Sequence, residues 1–404
     1  MFGIGKQWHI SKTCKIESNL PGEDERHQAP CRPVKPSNKL KEKNSKTALM
    51  EDESWRIPML VQELAAKVQQ PPSRYVQPEQ THPVSLATGA ETPEPIPVID
   101  LSRLLAADGA DEESSKLQLA LQSWGLFLVA NHGIETSLMD DLINAAREFF
   151  HLTLEEKQKC SNLIDGKHFQ VEGYGNDPVR SKDQTLDWSD RLHLRVEPED
   201  ERNFAHWPEH PKTFRALLHE YTLKCKRIKN LILWATAKTL GLKEDYFLAQ
   251  FSDKAPSFAR FNYYTPCPRP DLVFGVKPHS DSGVLTILLM DKDVGGLQVL
   301  RDGVWHSVPT IPHRLLINIG DFLEIMSNGI FKSPVHRVVT NVERERISLA
   351  MFHGLDPEKE IEPAADLLNE KQPARYRKMK AKEYVAGFYE HFCKGTRFIE
   401  SVNI

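Results

Sequence analysis

Two hydrophobic periods divide the chain. Between residues 57 and 240 apolar positions recur at three and four, the spacing that lines up one face of a helix. Ile57, Leu60, Val61, Leu64 and Val68 form the first such stripe, with Pro58 tolerated in the opening turn, and Pro71-Pro72 close it. A low-complexity loop at 81–95 leads into a short strand at 96–100. Amphipathic helices are predicted at 115–124 and 137–150, around the apolar run Leu126-Phe127-Leu128-Val129. The longest helix is expected over about 214–240. Leu217, Tyr221, Cys225, Ile228, Leu231, Ile232 and Ala235 make a stripe read as core packing, and Gly241 stops it.

From Pro256 the period shortens to that of strands, predicted at 257–264, 284–290, 296–300, 304–308, 315–319, 336–341 and 347–353. Turn residues separate them, including the hairpin pair Asp302-Gly303. Many short strands at regular spacing imply a closed or double-sheeted β-structure, so the fold class is mixed α+β. After Pro363 a charged helix at 371–382 is expected, followed by an aromatic tail of Tyr384, Phe388, Tyr389 and Phe392 that closes the mouth of the barrel. Residues 1–49 show no apolar period and are rich in Lys, Pro, Ser and Asn, which predicts disorder. The acidic cluster Glu23-Asp24-Glu25 and the preference for Lys over Arg speak against a transit peptide. The expected organisation is a disordered extension at 1–49, a helical region at 50–255, a β-core at 256–360 and a C-terminal helix and tail at 361–404.

Composition narrows the class of partner. A chain of 404 residues with 40% hydrophobic content buries a full core. A net charge of −4 gives no reason to expect nucleic acid or anionic membrane as partner. The six cysteines form no CxxC pair, which suits thiols in a reducing compartment. No apolar run reaches the length of a membrane span and the N-terminus has no signal core, so a cytoplasmic location is the expectation. A monomer acting on a small molecule is the default.

The chemistry concentrates between Lys277 and Ser348. His279-Ser280-Asp281, then His336, then Arg346-Ile347-Ser348 make the pattern His-x-Asp … His … Arg-x-Ser. A His-x-Asp tripeptide alone carries little, since with 16 histidines roughly one arises by chance. The third ligand and the arginine change that. Two imidazoles and one carboxylate can occupy one face of a six-coordinate metal and leave three positions open, the ligand set of a non-haem Fe(II) oxygenase. Arg346 and Ser348 share one face of a strand and offer a charged fork and a hydroxyl to a small dicarboxylate.

On these residues the chain resembles the plant 2-oxoglutarate- and Fe(II)-dependent dioxygenases of small-molecule metabolism. The likeness extends to Arg260-Phe261-Asn262-Tyr263-Tyr264, Pro266-Cys267-Pro268, Gly295-Gly296-Leu297-Gln298-Val299, Asn318-Ile319-Gly320-Asp321 and Ser327-Asn328-Gly329. Nearer the N-terminus it includes Ile96-Pro97-Val98-Ile99-Asp100-Leu101, Trp124-Gly125 and Asn131-His132-Gly133. Met50 resembles a natural start for the family, leaving 1–49 as an upstream extension.

The resemblance implies a double-stranded β-helix, or jelly roll, with N-terminal helices packed on one sheet. It implies His279, Asp281 and His336 as ligands of Fe(II), and Arg346, Ser348, Asn262 and Tyr264 as the 2-oxoglutarate site. O2 is the second co-substrate and ascorbate the reductant. The reaction is hydroxylation, O-demethylation or desaturation of a hydrophobic metabolite, with succinate and CO2 as co-products. The substrate pocket is expected to use Tyr174, Arg260, Phe352 and Gly354, with 187–190 nearby. Flavonoid-oxidising relatives usually carry an acidic residue at the position of Gly354, which points away from a flavonoid. A non-oxidative metabolite carrier or sensor on the same fold, and a zinc hydrolase using the same ligands, are the alternatives. The intact Arg-x-Ser counts against the carrier, and Arg346 would have no task in the hydrolase.

Overall fold

Buried strands here alternate between two different interiors, and that alternation places the site. A computed structural model describes residues 54–78, 95–106 and 108–404. The extension at 1–49 and nearly all of the loop at 81–95 lie outside those residues. Five helices frame the site: α1 (Ala110–Ser123), α2 (Thr136–His151), α3 (Phe214–Thr239), α4 (Asp321–Met326) and α5 (Ala381–Cys393). The strands are β1 (Val98–Asp100), β2 (Leu126–Ala130), β3 (Gly173–Gly175), β4 (Asp190–Glu197), β5 (Ser257–Tyr264), β6 (Phe274–His279), β7 (Leu285–Leu289), β8 (Leu297–Arg301), β9 (Val304–Ser307), β10 (Leu315–Ile319), β11 (His336–Val339) and β12 (Arg346–His353). An eight-stranded sheet runs β1-β2-β10-β7-β12-β5-β4-β3, and a four-stranded sheet runs β9-β8-β11-β6. Together they form the expected double-stranded β-helix.

One face of the large sheet meets the helices. Phe261 of β5, Ile287 of β7, Ile317 of β10 and Leu349 of β12 are fully buried in a single core with Leu142 and Phe149 of α2 and Phe214 and Leu218 of α3. The rings of Phe214 and Phe261 lie 5.2 Å apart. Burying each such side chain stabilises the fold by about 1.5–3 kcal/mol. The intervening residues of the same strands face the opposite way, toward a cavity between the sheets. Strands buried on both faces read as near-continuous apolar runs, which is why β2 and β10 carry so little polar marking. Close approach completes the junction: a Cβ on Gly320 would stand 2.1 Å from the Gly283 carbonyl oxygen, so only glycine lets β10 end against the 281–283 loop.

Several expectations are corrected. The first helix shrinks to Val61–Ala65. Ile57 and Leu60 instead belong to an irregular segment, because the carboxylate of Asp190 accepts from the Val61 and Gln62 amides, each at 2.8 Å, and fixes where the turn begins. No helix spans 371–382. Met379–Lys380 pairs with Glu360–Ile361 as a short ribbon, and the Arg377 amide is taken by the Val402 carbonyl. The charged stretch had helical composition but no apolar stripe. The helix lies at α5, where Tyr384, Phe388 and Phe392 recur every four residues, so the supposed tail is itself the helix. The strands β3, β4 and β6 went unpredicted, although Leu192, Leu194 and Val196 of β4 alternate clearly. Among the described residues no helix is long and apolar enough to cross a membrane, and the four described cysteines are free thiols.

Candidate active site

The pairing of strands sets the cavity wall in rows. Across the large sheet, Asn318, Thr286, Phe352 and Phe258 stand in register, then Leu316, Leu288, Ala350, Arg260 and His193. Beyond these come Ser348, Asn262 and Arg191, and finally Arg346 beside Tyr264. All of these line one cavity of about 570 Å³. Across from them, β6 and β11 of the small sheet bring His279 opposite His336.

Among the described residues, His279, Asp281 and His336 form the one group of histidine, cysteine or acidic side chains arranged to hold a metal, with ligand atoms within 4.8 Å of one another. Asp281 Oδ1 lies 3.7 Å from Nε2 of each histidine. Its other oxygen, Oδ2, accepts from the Thr286 hydroxyl at 2.6 Å and the Asn318 amide at 2.8 Å. Two donors on one oxygen leave the other free to face the imidazoles. The Nδ1 atoms of His279 and His336 are within hydrogen-bond distance of the carbonyls of Lys277 (2.9 Å) and Pro334 (3.2 Å), which turns each Nε2 toward the shared point. Burial, then the charge of the neighbouring His336, brings His279 down to about 3, so its imidazole is neutral and free to ligate. Burial opposes ionisation of Asp281, but both imidazoles and both donors outweigh it and hold the carboxyl below its usual range. The set suits a borderline divalent ion that takes nitrogen and oxygen together.

Arg346 is 3% exposed. Its Nε donates to the Val294 carbonyl at 3.2 Å, its guanidinium lies 4.9 Å over the Tyr264 ring, and its Nη1 is buried with no partner. A buried cationic donor left open calls for an anion. Ser348 supplies a hydroxyl beside it. Asn262 is fixed from both sides, donating to the Ser348 hydroxyl at 3.4 Å and accepting from Arg260 Nε at 2.7 Å. Leu288, Leu316 and Ala350 form an apolar row between this end and the Thr286–Asn318 end, as a dicarboxylate with a hydrocarbon middle requires.

The expected substrate residues separate. Arg260, Phe352 and Gly354 line the cavity, and Arg260 holds Asp177 through both nitrogens of its fork at 3.0 and 2.8 Å. Tyr174 does not line it. Its ring packs in the helical core against Phe149 and Phe150, and its hydroxyl donates to Gln62. His353 is likewise enclosed, paired with Ser257. Asp187 sits at the cavity and binds Lys277 at 2.7 Å, whereas Asp190 serves the 61–62 amides. Sequence reasoning missed Thr286, Asn318 and His193. The first two are legible as the polar exceptions in the apolar strands β7 and β10. The expected aromatic closure is present: α5 brings Phe388, Tyr389 and Phe392 to the cavity, and Phe392 sets its edge against His279 at 5.4 Å and lies under Lys277 at 4.7 Å.

Residues 256–355 match the 2OG-Fe(II) oxygenase superfamily, and residues 96–210 match the family described as non-haem dioxygenase in morphine synthesis, N-terminal. Jasmonate-induced oxygenase 2 of Arabidopsis thaliana is 37% identical over 337 residues, 82% of this chain and 90% of its own length. Oxoglutarate-dependent flavonoid 7-O-demethylase 1 of Ocimum basilicum is 36% identical over 372 residues, 91% of this chain and 97% of its own. The crystal structure of JOX2 in complex with 2OG, Fe, and JA is similar with a TM-score of 0.76 at 35% identity, covering 87% of this chain and 100% of that one.

Proposed function

This chain belongs to the plant 2-oxoglutarate- and Fe(II)-dependent oxygenase family, and from that premise we propose that it oxidises a hydrophobic plant metabolite by hydroxylation, O-demethylation or desaturation. It is a 2-oxoglutarate-dependent dioxygenase that uses Fe(II) and binds a small-molecule substrate. His279, Asp281 and His336 would hold the ion, two imidazole nitrogens and one carboxylate oxygen that suit Fe(II). When bound, iron and 2-oxoglutarate supply the activation of O2, with CO2 and succinate as products of the co-substrate. Arg346 pairs with the distal carboxylate as a cation that cannot lose its proton, and Ser348 adds a hydroxyl. Tyr264 supports the guanidinium from beneath, and Asn262 closes the same end. Ascorbate serves as reductant, and the enzyme works as a cytoplasmic monomer.

The observation that carries this reading is the open Nη1 of Arg346 in the same cavity as the three ligand atoms. Arg260, Phe352 and Gly354 belong to the chamber for the organic substrate. Flavonoids belong among the compounds to be tested, since one relative is named a flavonoid 7-O-demethylase. The test is succinate formation by the purified protein with Fe(II), air and a panel of plant metabolites, with product masses distinguishing the three outcomes. Failure of 2-oxoglutarate to bind the metal-loaded protein would overturn the assignment.

A further inference from the structure

We propose that His193 forms a hydrogen-bonding subsite for a hydroxyl on the organic substrate, which makes flat phenolic compounds the substrate class of this chamber. The inference rests on the oxygenase reading of the cavity and narrows it. His193 lies on β4 opposite Arg260, lines the cavity and is 7% exposed. Its Nδ1 is sealed from solvent and has no hydrogen-bond partner, whereas Nε2 is not sealed in this way. The ring stacks on Phe258, centroids 4.9 Å apart and planes 23° apart, and stands 6.4 Å from the ring of Phe352.

Three physical points follow. A polar ring among phenylalanines is costlier than the phenylalanine that would fill the same space, and since Nδ1 is sealed, Nε2 is the nitrogen at which a ligand in the cavity can offset that cost. Burial, reinforced by the charges of Arg191 and Arg260, holds the imidazole neutral, well below its ordinary pKa. A neutral imidazole has one donor and one acceptor, and a hydroxyl satisfies either tautomer, whereas a carboxylate or an ether suits only one. Phe258 and Phe352 beside it offer flat apolar surface, which fits an aromatic carrier for that hydroxyl.

The test uses 4-phenylphenol and 4-methylbiphenyl, which differ by a hydroxyl against a methyl group of similar size. Binding of each is measured calorimetrically to full-length protein loaded with Co(II) and 2-oxoglutarate, for wild type, His193→Phe, His193→Leu and His193→Gln. The wild type is expected to prefer the phenol by about tenfold. Phe and Leu should bring that ratio to within about twofold, with Gln restoring part of it and the 2-oxoglutarate Kd unchanged throughout. Two apolar variants guard against one that does not fold. A wild-type ratio near one, undetectable binding of the phenol, or a ratio unmoved in both apolar variants overturns the subsite. Absence of 2-oxoglutarate binding in every protein would instead remove the oxygenase reading beneath it.

Discussion

On the cavity side of β12, Arg346 and Ser348 stand at one end and Ala350 and Phe352 at the other, yet the two ends are made differently. The candidate metal ligands, Arg346 and Ser348 come from three short motifs between residues 279 and 348, and β5 adds Asn262 and Tyr264 to that end. Most of their polar atoms are committed, as Asp281 has two donors on Oδ2 and Asn262 is held from both sides, while Arg346 keeps Nη1 open for an anion. The other end, continuous with the substrate wall, collects His193 from β4, Phe258 from β5 and Phe352 from β12. Ring contacts dominate there, and His193 Nδ1 is sealed without a partner. Reaction geometry is thus held rigidly by hydrogen bonds, while recognition depends on apolar shape that substitution can change without disturbing the ligands.

The comparison breaks first at the metal. Asp281→Ala and His336→Ala are expected to abolish succinate formation while circular dichroism stays that of the wild type. Arg346→Ala comes next: removing one partner of a buried charge pair costs about 3–5 kcal/mol, so the Kd for 2-oxoglutarate should rise by about a hundredfold or more. Calorimetry on metal-loaded protein checks this, and an unchanged Kd would refute the role given to Arg346. Thr286→Val combined with Asn318→Leu leaves all three ligands but frees Asp281 Oδ2. Metal affinity should fall about 10- to 100-fold, with Thr286→Ser retaining most of it, as measured by Co(II) titration followed in the visible spectrum. Phe352→Ala sharpens the contrast from the other side: it should weaken binding of the organic substrate and leave the 2-oxoglutarate Kd within about twofold.

The smallest effect lies in pH. Burial pushes the Asp190 carboxyl up to about 6, against the pull of the Gln62 and Val61 amides. A carboxyl whose folded pKa exceeds its unfolded value contributes most below about pH 4, and that contribution is lost as the pH rises through about 6. Asp190→Asn removes the titration, so the gap in Tm between wild type and variant should narrow between about pH 4 and pH 6. A constant gap would mean that Asp190 is ionised throughout.

Legibility in the sequence followed the same division. The helices at α1, α2 and α3 and most strands of the core showed in their periods, and the candidate metal ligands with Arg346 and Ser348 showed in their spacing. Tyr174 misled because glycines flank it on a strand buried on both faces, so no alternation says which interior receives the ring. The stretch at 371–382 misled because charge and helix propensity imitate a helix where the backbone is already engaged by Val402 and by the ribbon at 360–361.

Chain order alone settled the class of chemistry, because imidazole, carboxylate and guanidinium are irreplaceable in their tasks and stand at recognisable intervals. Only packing decided which side chains enclose the organic substrate. The register of β4 on β5 and the docking of α5 bring His193, Phe258 and Phe392 to one chamber from separate stretches. Contact of that kind belongs to the assembled sheets, and no local run of residues encodes it.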